Sequence, residues 1–115
     1  QVELAGSDDT SLAALLDSGI PAGAIITAVL IDPSGVTASS ATGRTPADTP
    51  IVSAVARTVG STATLALTGV ATTAVIVTPE DPTNGLNPPG DFRGSSAYRL
   101  HLASILSARA LEAVR

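Results

Sequence analysis

His101 is the single histidine of the chain, and so the one side chain whose ordinary pKa suits acid–base work near neutrality. A nucleophilic mechanism built on it needs a hydroxyl within hydrogen-bond reach and a third group to orient the ring. Hydroxyls are plentiful, but helical spacing puts His101 with Ser104, Glu112 and Arg115 on a polar sector, which reads as a solvated helix face. Two adjacent carboxylate pairs occur. Asp8-Asp9 precedes Ser11 at a helix start, where negative charge is favoured, and Glu80-Asp81 lies in a proline-rich loop. Neither has the pattern of a metal site. Gly94-Ser95-Ser96 lacks the spacing and the lysine of a phosphate-cradling loop. The absence of cysteine excludes disulfides, thiol catalysis and iron–sulfur ligation by this chain.

The densest constellation is Asp91-Phe92-Arg93-Gly94-Ser95-Ser96-Ala97-Tyr98-Arg99. It sets an acid, two arginines and both aromatic residues of the chain around a helix cap. Arg93 and Arg99 can each make forked bonds to a carboxylate or to strand-end carbonyls. Tyr98 brings the largest apolar body of the helix with a polar tip. The segment therefore reads as a structural latch joining loop, helix and sheet. The expectation is a buried Tyr98 and at least one paired arginine.

The elements that would hold this latch follow from periodicity. Ser95 or Ser96 caps a helix from Ala97 to about Val114, with Tyr98, Leu102, Leu106, Ala110 and Ala113 along its apolar arc. Ile51–Val59, Thr62–Val70 and Thr72–Val77 are three β runs with short joins, hence an antiparallel meander. Gly69 reads as a bulge or close packing point. Residues 36–50 carry no period and read as an irregular strand or loop. Residues 79–90 hold four prolines and two glycines, which suits an extended surface segment. Upstream, Leu12–Leu16 is a short helix that Ser11 or Thr10 can cap and Gly19 can end. The β-branched run Ala24–Ile31 reads as a strand buried on both faces. The fold class is thus α+β: a three-stranded antiparallel sheet packed by a C-terminal helix.

At 115 residues with a core of small aliphatics, the chain is expected to be modestly stable and helped by a partner surface. Six carboxylates against Arg44 in residues 1–50, no lysine and a net charge of −4 argue against nucleic acid. The longest apolar run is too short to span a bilayer and lacks a charged leader, so a soluble, cytoplasmic chain is expected.

The sequence from Asp91 through Ala103, followed by Arg109-Ala110-Leu111, resembles the closing signature of the FAD (medium) subunit of molybdenum hydroxylases. This is the carbon monoxide, xanthine and aldehyde dehydrogenase family, and its signature reads D-x-R-G-S-x-x-Y-R-x-x-L-A, then Arg-Ala-Leu. Ile20–Val29 resembles the family's last stretch of flavin domain, and Arg44–Val52 the join that opens its C-terminal domain. The resemblance implies that residues 1–32 are the end of a flavin-binding-type domain and residues 33–115 the C-terminal domain of the medium subunit. It places Ile26 against the flavin and assigns Asp91, Arg93, Tyr98, Arg99 and Arg109 to a structural latch or interface. The family's diphosphate-binding loops have no counterpart here, so no cofactor is expected on this chain alone. FAD, molybdopterin and 2Fe–2S clusters belong to the implied complex, with a molybdopterin-binding large subunit and an iron–sulfur small subunit as partners. A free-standing interaction module of the same fold is the rival reading, and a small hydrolase using His101 a third.

Overall fold

The computed structural model describes residues 1–45 and 47–115. The chain divides into two compact units, Gln1–Ser34 and Gly35–Arg115.

The first unit contains β1 (Val2–Ala5), α1 (Leu12–Ser18) and β2 (Ile25–Val29). Helix α1 forms where its punctuation predicts. Ser11 Oγ accepts the Ala14 N–H at 3.1 Å, and the Gly19 N–H closes the last turn on the Leu15 carbonyl at 2.9 Å. Strands β1 and β2 pair antiparallel from Val2↔Val29 to Ala5↔Ile25, with a register shift between Glu3 and Leu4. One strand here is unexpected, and one expectation fails. Strand β1 is not anticipated, because four residues around Glu3 are too few to show an alternation. Strand β2 is not buried on both faces: Ile25 and Val29 are 69% and 55% exposed. Its apolar run supplies β propensity, but nothing in a run reports whether a second layer covers the strand.

The second unit contains β3 (Val36–Thr42), β4 (Val52–Val59), β5 (Thr62–Thr68), β6 (Val75–Val77) and α2 (Ser96–Glu112). The strands form one antiparallel sheet in the order β3-β4-β5-β6 with α2 packed on it. The class is α+β as expected, but the sheet has four strands, not three. Strand β3 carries one large apolar residue, Val36, and is otherwise Thr, Ala and Ser. At a sheet edge, ladder pairing unbroken from Val36↔Thr58 to Thr42↔Val52 is enough to hold it.

Period-two alternation sorts the central strands. Val52, Ala54 and Ala56 of β4 and Leu65 and Leu67 of β5 are fully buried, while Val55 lies 39% exposed on the opposite face. Facing them are Leu102, Ala103, Leu106 and Ala110 of α2. Alanines on both sides let helix and sheet approach closely. The leucines supply most of the driving force, about 1.5–3 kcal/mol for each one fully buried. The buried stripe of α2 runs Arg99, Leu102, Ala103, Leu106, Ser107, Ala110, a three–four spacing. It is rotated from the expected arc, so Tyr98 and Ala113 face solvent and Arg99 faces the core.

Candidate functional site

The latch segment begins as a tight turn. The Asp91 N–H donates to the Gly94 carbonyl at 3.0 Å and the Gly94 N–H returns a bond to the Asp91 carbonyl at 3.1 Å. Asp91 Oδ1 accepts the Arg93 N–H at 2.9 Å and shares the same Gly94 N–H at 3.1 Å. An Asx-type side chain folding back on its own turn is the local reason the chain reverses here. Ser95 then caps α2, its Oγ accepting the Tyr98 N–H at 3.2 Å.

One turn into the helix stands Arg99, 5% exposed. Its Nη1 donates to two carbonyls at once, Ile51 at 2.9 Å and Gly69 at 2.8 Å. Nη2 donates to Asp91 Oδ1 at 2.8 Å, and Nε makes a long bond to the Gly94 carbonyl at 3.4 Å. Ile51 leads into β4 and Gly69 follows β5, so a single guanidinium ties together the ends of two neighbouring strands, the turn and the helix. Gly69 sits at φ +81°, and a Cβ there would collide with the Ile51 carbonyl oxygen. Only glycine lets both carbonyls converge on one nitrogen.

The electrostatics suit structure rather than proton transfer. The Arg99 hydrogen bond, foremost, holds the Asp91 carboxyl down to about 2 from an ordinary 3.8, helped by the Arg93 and Gly94 N–H groups and opposed by partial desolvation. Asp91 is thus a fixed carboxylate whose Oδ1 already accepts three bonds. It has neither the proton to act as an acid nor the affinity to act as a base near neutrality.

The other expected site residues fall in different places. Arg93 Nε lies 3.6 Å from Asp91 Oδ2, and its guanidinium sits 5.8 Å from the Phe92 ring centroid. Tyr98 is 42% exposed and not buried as expected. Its ring lies along Gly94, where a Cβ would come within 2.9 Å of Cδ1. Arg109 is exposed in the last turn of α2, about 15 Å along the axis from Arg99. Ile26, in the first unit, is 42% exposed on β2. Pro46, inside the Arg44–Val52 stretch, lies outside the described residues.

His101 is exposed, and no nucleophile or orienting acid is hydrogen-bonded to it among the described residues. No group of three or more His, Asp or Glu side chains among those residues could hold a metal ion. No helix among them is long and apolar enough to cross a membrane. Sequence reasoning missed Ile51 and Gly69, which act through backbone carbonyls; the only signal for either was the close-packing reading of Gly69.

No protein-family model matches the chain, and no curated protein matches it. Among solved structures, its fold is similar to the crystal structure of quinoline 2-oxidoreductase from Pseudomonas putida 86, with a TM-score of 0.60 and 23% sequence identity. The match covers 71% of this chain and 38% of that one, so this chain accounts for well under half of its neighbour's length.

Proposed function

We propose that this chain is the closing part of the FAD-bearing subunit of a molybdenum hydroxylase, where it serves as scaffold and subunit-docking piece. The observation that carries the reading is the convergence of the motif residues Asp91, Gly94, Ser95 and Arg99 on one hydrogen-bonded cluster at the strand ends. That convergence gives four letters of the D-x-R-G-S-x-x-Y-R pattern a physical purpose: Asp91 and Gly94 form the turn, Ser95 caps the helix, and Arg99 ties turn and helix to the strand ends. The fold likeness to an oxidoreductase supports the same reading. So does the apolar surface of the first unit, where Leu12, Ile25, Ile31 and Val29 are all more than half exposed, as a strand-bearing end of a larger domain would leave them.

The residues present do not fit a flavin by themselves. Around Ile26 the chain offers apolar surface, and the adjoining Thr27 Oγ1 already donates to the Glu3 carbonyl at 3.2 Å. A diphosphate needs a cradle of backbone N–H groups, which β1 and β2 do not provide. No flavin step is therefore assigned to this chain. Molybdopterin and 2Fe–2S chemistry belong, in this reading, to a large and a small partner polypeptide in the cytoplasm.

Affinity purification of the tagged chain from its native source, followed by identification of the associated polypeptides, tests the proposal. A large molybdopterin-binding and a small iron–sulfur polypeptide in fixed ratio are expected. Recovery of the chain alone would favour the free-standing interaction module.

A further inference from the structure

Beside the Asp91–Gly94 turn lies an open hollow of ≈250 Å³ lined by Arg44, Asp48, Thr49, Ile51, Phe92 and Arg93. Its charge stands out in a chain whose net charge is −4. Two guanidinium groups face one carboxylate, and Asp48 Oδ2 is already engaged by the Thr45 N–H at 3.1 Å. Arg44 has no ion-pair partner among the described residues, and Arg93 makes one loose ion pair, Nε to Asp91 Oδ2 at 3.6 Å, without a hydrogen bond to it. At the rim, Phe92 is 87% exposed. The tip that carries Phe92 and Arg93 is rigid, closed by two backbone bonds and by the Asp91 carboxylate that Arg99 clamps from beneath. Arginine and aromatic residues carry most of the energy of protein interfaces, and a tip ordered in advance leaves little entropy to lose on binding. The hollow is smaller than the usual range of small-molecule pockets, about 300–1,000 Å³. That size suits side chains offered by a polypeptide.

We propose that this hollow docks a carboxylate-bearing segment of a partner polypeptide, an Asp or Glu flanked by an apolar residue, with Arg44 and Arg93 receiving the carboxylate and Phe92 covering its neighbour. The identity of the partner as another subunit of the enzyme rests on the function proposed above; the chemistry of the hollow does not.

Amide NMR spectra of the purified chain titrated with acetyl-Leu-Glu-Leu-amide test the proposal. Saturable shifts confined to Arg44, Ile51, Phe92 and Arg93 are expected, with affinity at least tenfold lower in Phe92→Ala and Arg93→Glu and unchanged in Arg115→Glu. Should Arg93→Glu disturb the turn through Asp91, Arg44→Glu carries the same expectation. Absence of saturable shifts, equal binding of acetyl-Leu-Gln-Leu-amide, or equally tight binding of inorganic phosphate would overturn it. In the native-source purification, Phe92→Ala and Arg44→Glu should recover at least tenfold less partner polypeptide than Arg115→Glu, and equal recovery would also overturn it. If the wild-type chain recovers no such subunits, the enzyme reading fails while the titration still decides the hollow.

Discussion

The carbonyl of Gly69 and Nη1 of Arg99, thirty residues apart, meet at 2.8 Å, and the same nitrogen reaches the Ile51 carbonyl because position 69 carries no side chain. Arg99→Ala would leave both carbonyls without their cationic donor and open space in the core. At about 1.5–3 kcal/mol for a hydrogen bond to a charged group, the expected loss is about 3–4 kcal/mol by urea denaturation. Arg99→Lys should recover only part of it, since an ammonium cannot span the carbonyls and Asp91 together. Arg109→Ala, on an exposed site, should cost under about 1 kcal/mol. An Arg99→Ala chain as stable as wild type would remove the latch from the account.

The depressed pKa of Asp91 sets a pH dependence. Because the folded value, about 2, lies below the ordinary 3.8, the stabilisation is fully present above pH 4 and is lost as pH falls from 3.8 through 2. Wild type should therefore lose more stability between pH 5 and pH 2 than Asp91→Asn, which keeps the turn's acceptor oxygen but has no carboxylate to protonate. Parallel thermal melts across that range give the comparison; superimposable pH profiles would mean that the Asp91–Arg99 pair contributes nothing.

Tyr98 is half outside, so its removal should be milder than core truncation. Its ring lies against Gly94, and Tyr98→Ala should cost about 1–1.5 kcal/mol, roughly half the value of a fully buried side chain. A loss above about 3 kcal/mol would show that the ring is buried in solution.

Ser107 is fully buried on the sheet-facing stripe of α2, and its Oγ has no hydrogen-bond partner among the described residues. A lone buried hydroxyl costs stability and serine is a poorer helix former than alanine. Ser107→Ala should raise the stability by about 0.5–1.5 kcal/mol in the same urea assay. A decrease would mean that the hydroxyl is satisfied in solution.

Elements whose signals are local were legible in the sequence. Of the two candidate caps at each helix start, Ser11 and Ser95 serve, and β4 and β5 alternate as their residues do, since caps and pleats are decided within a few positions. Strand β3 was not legible as a regular strand, because an edge strand of Thr, Ala and Ser draws its stability from ladder bonds that leave no apolar pattern. An arginine is paired as expected, at Arg99, but Tyr98 is not buried as expected. Adjacent helix residues differ by about 100° in direction, and hydrophobicity favoured the tyrosine. What buries Arg99 instead is a set of backbone acceptors at Ile51 and Gly69, and no side-chain code announces carbonyls.

Elemental analysis of the chain, tagged and purified under native conditions from its own source, bears most directly on the proposed role. Molybdenum and iron should elute with the chain in constant ratio through gel filtration and should fall away together when the Phe92→Ala variant is purified the same way. Elution of the wild-type chain free of both metals would contradict its place in a molybdenum hydroxylase.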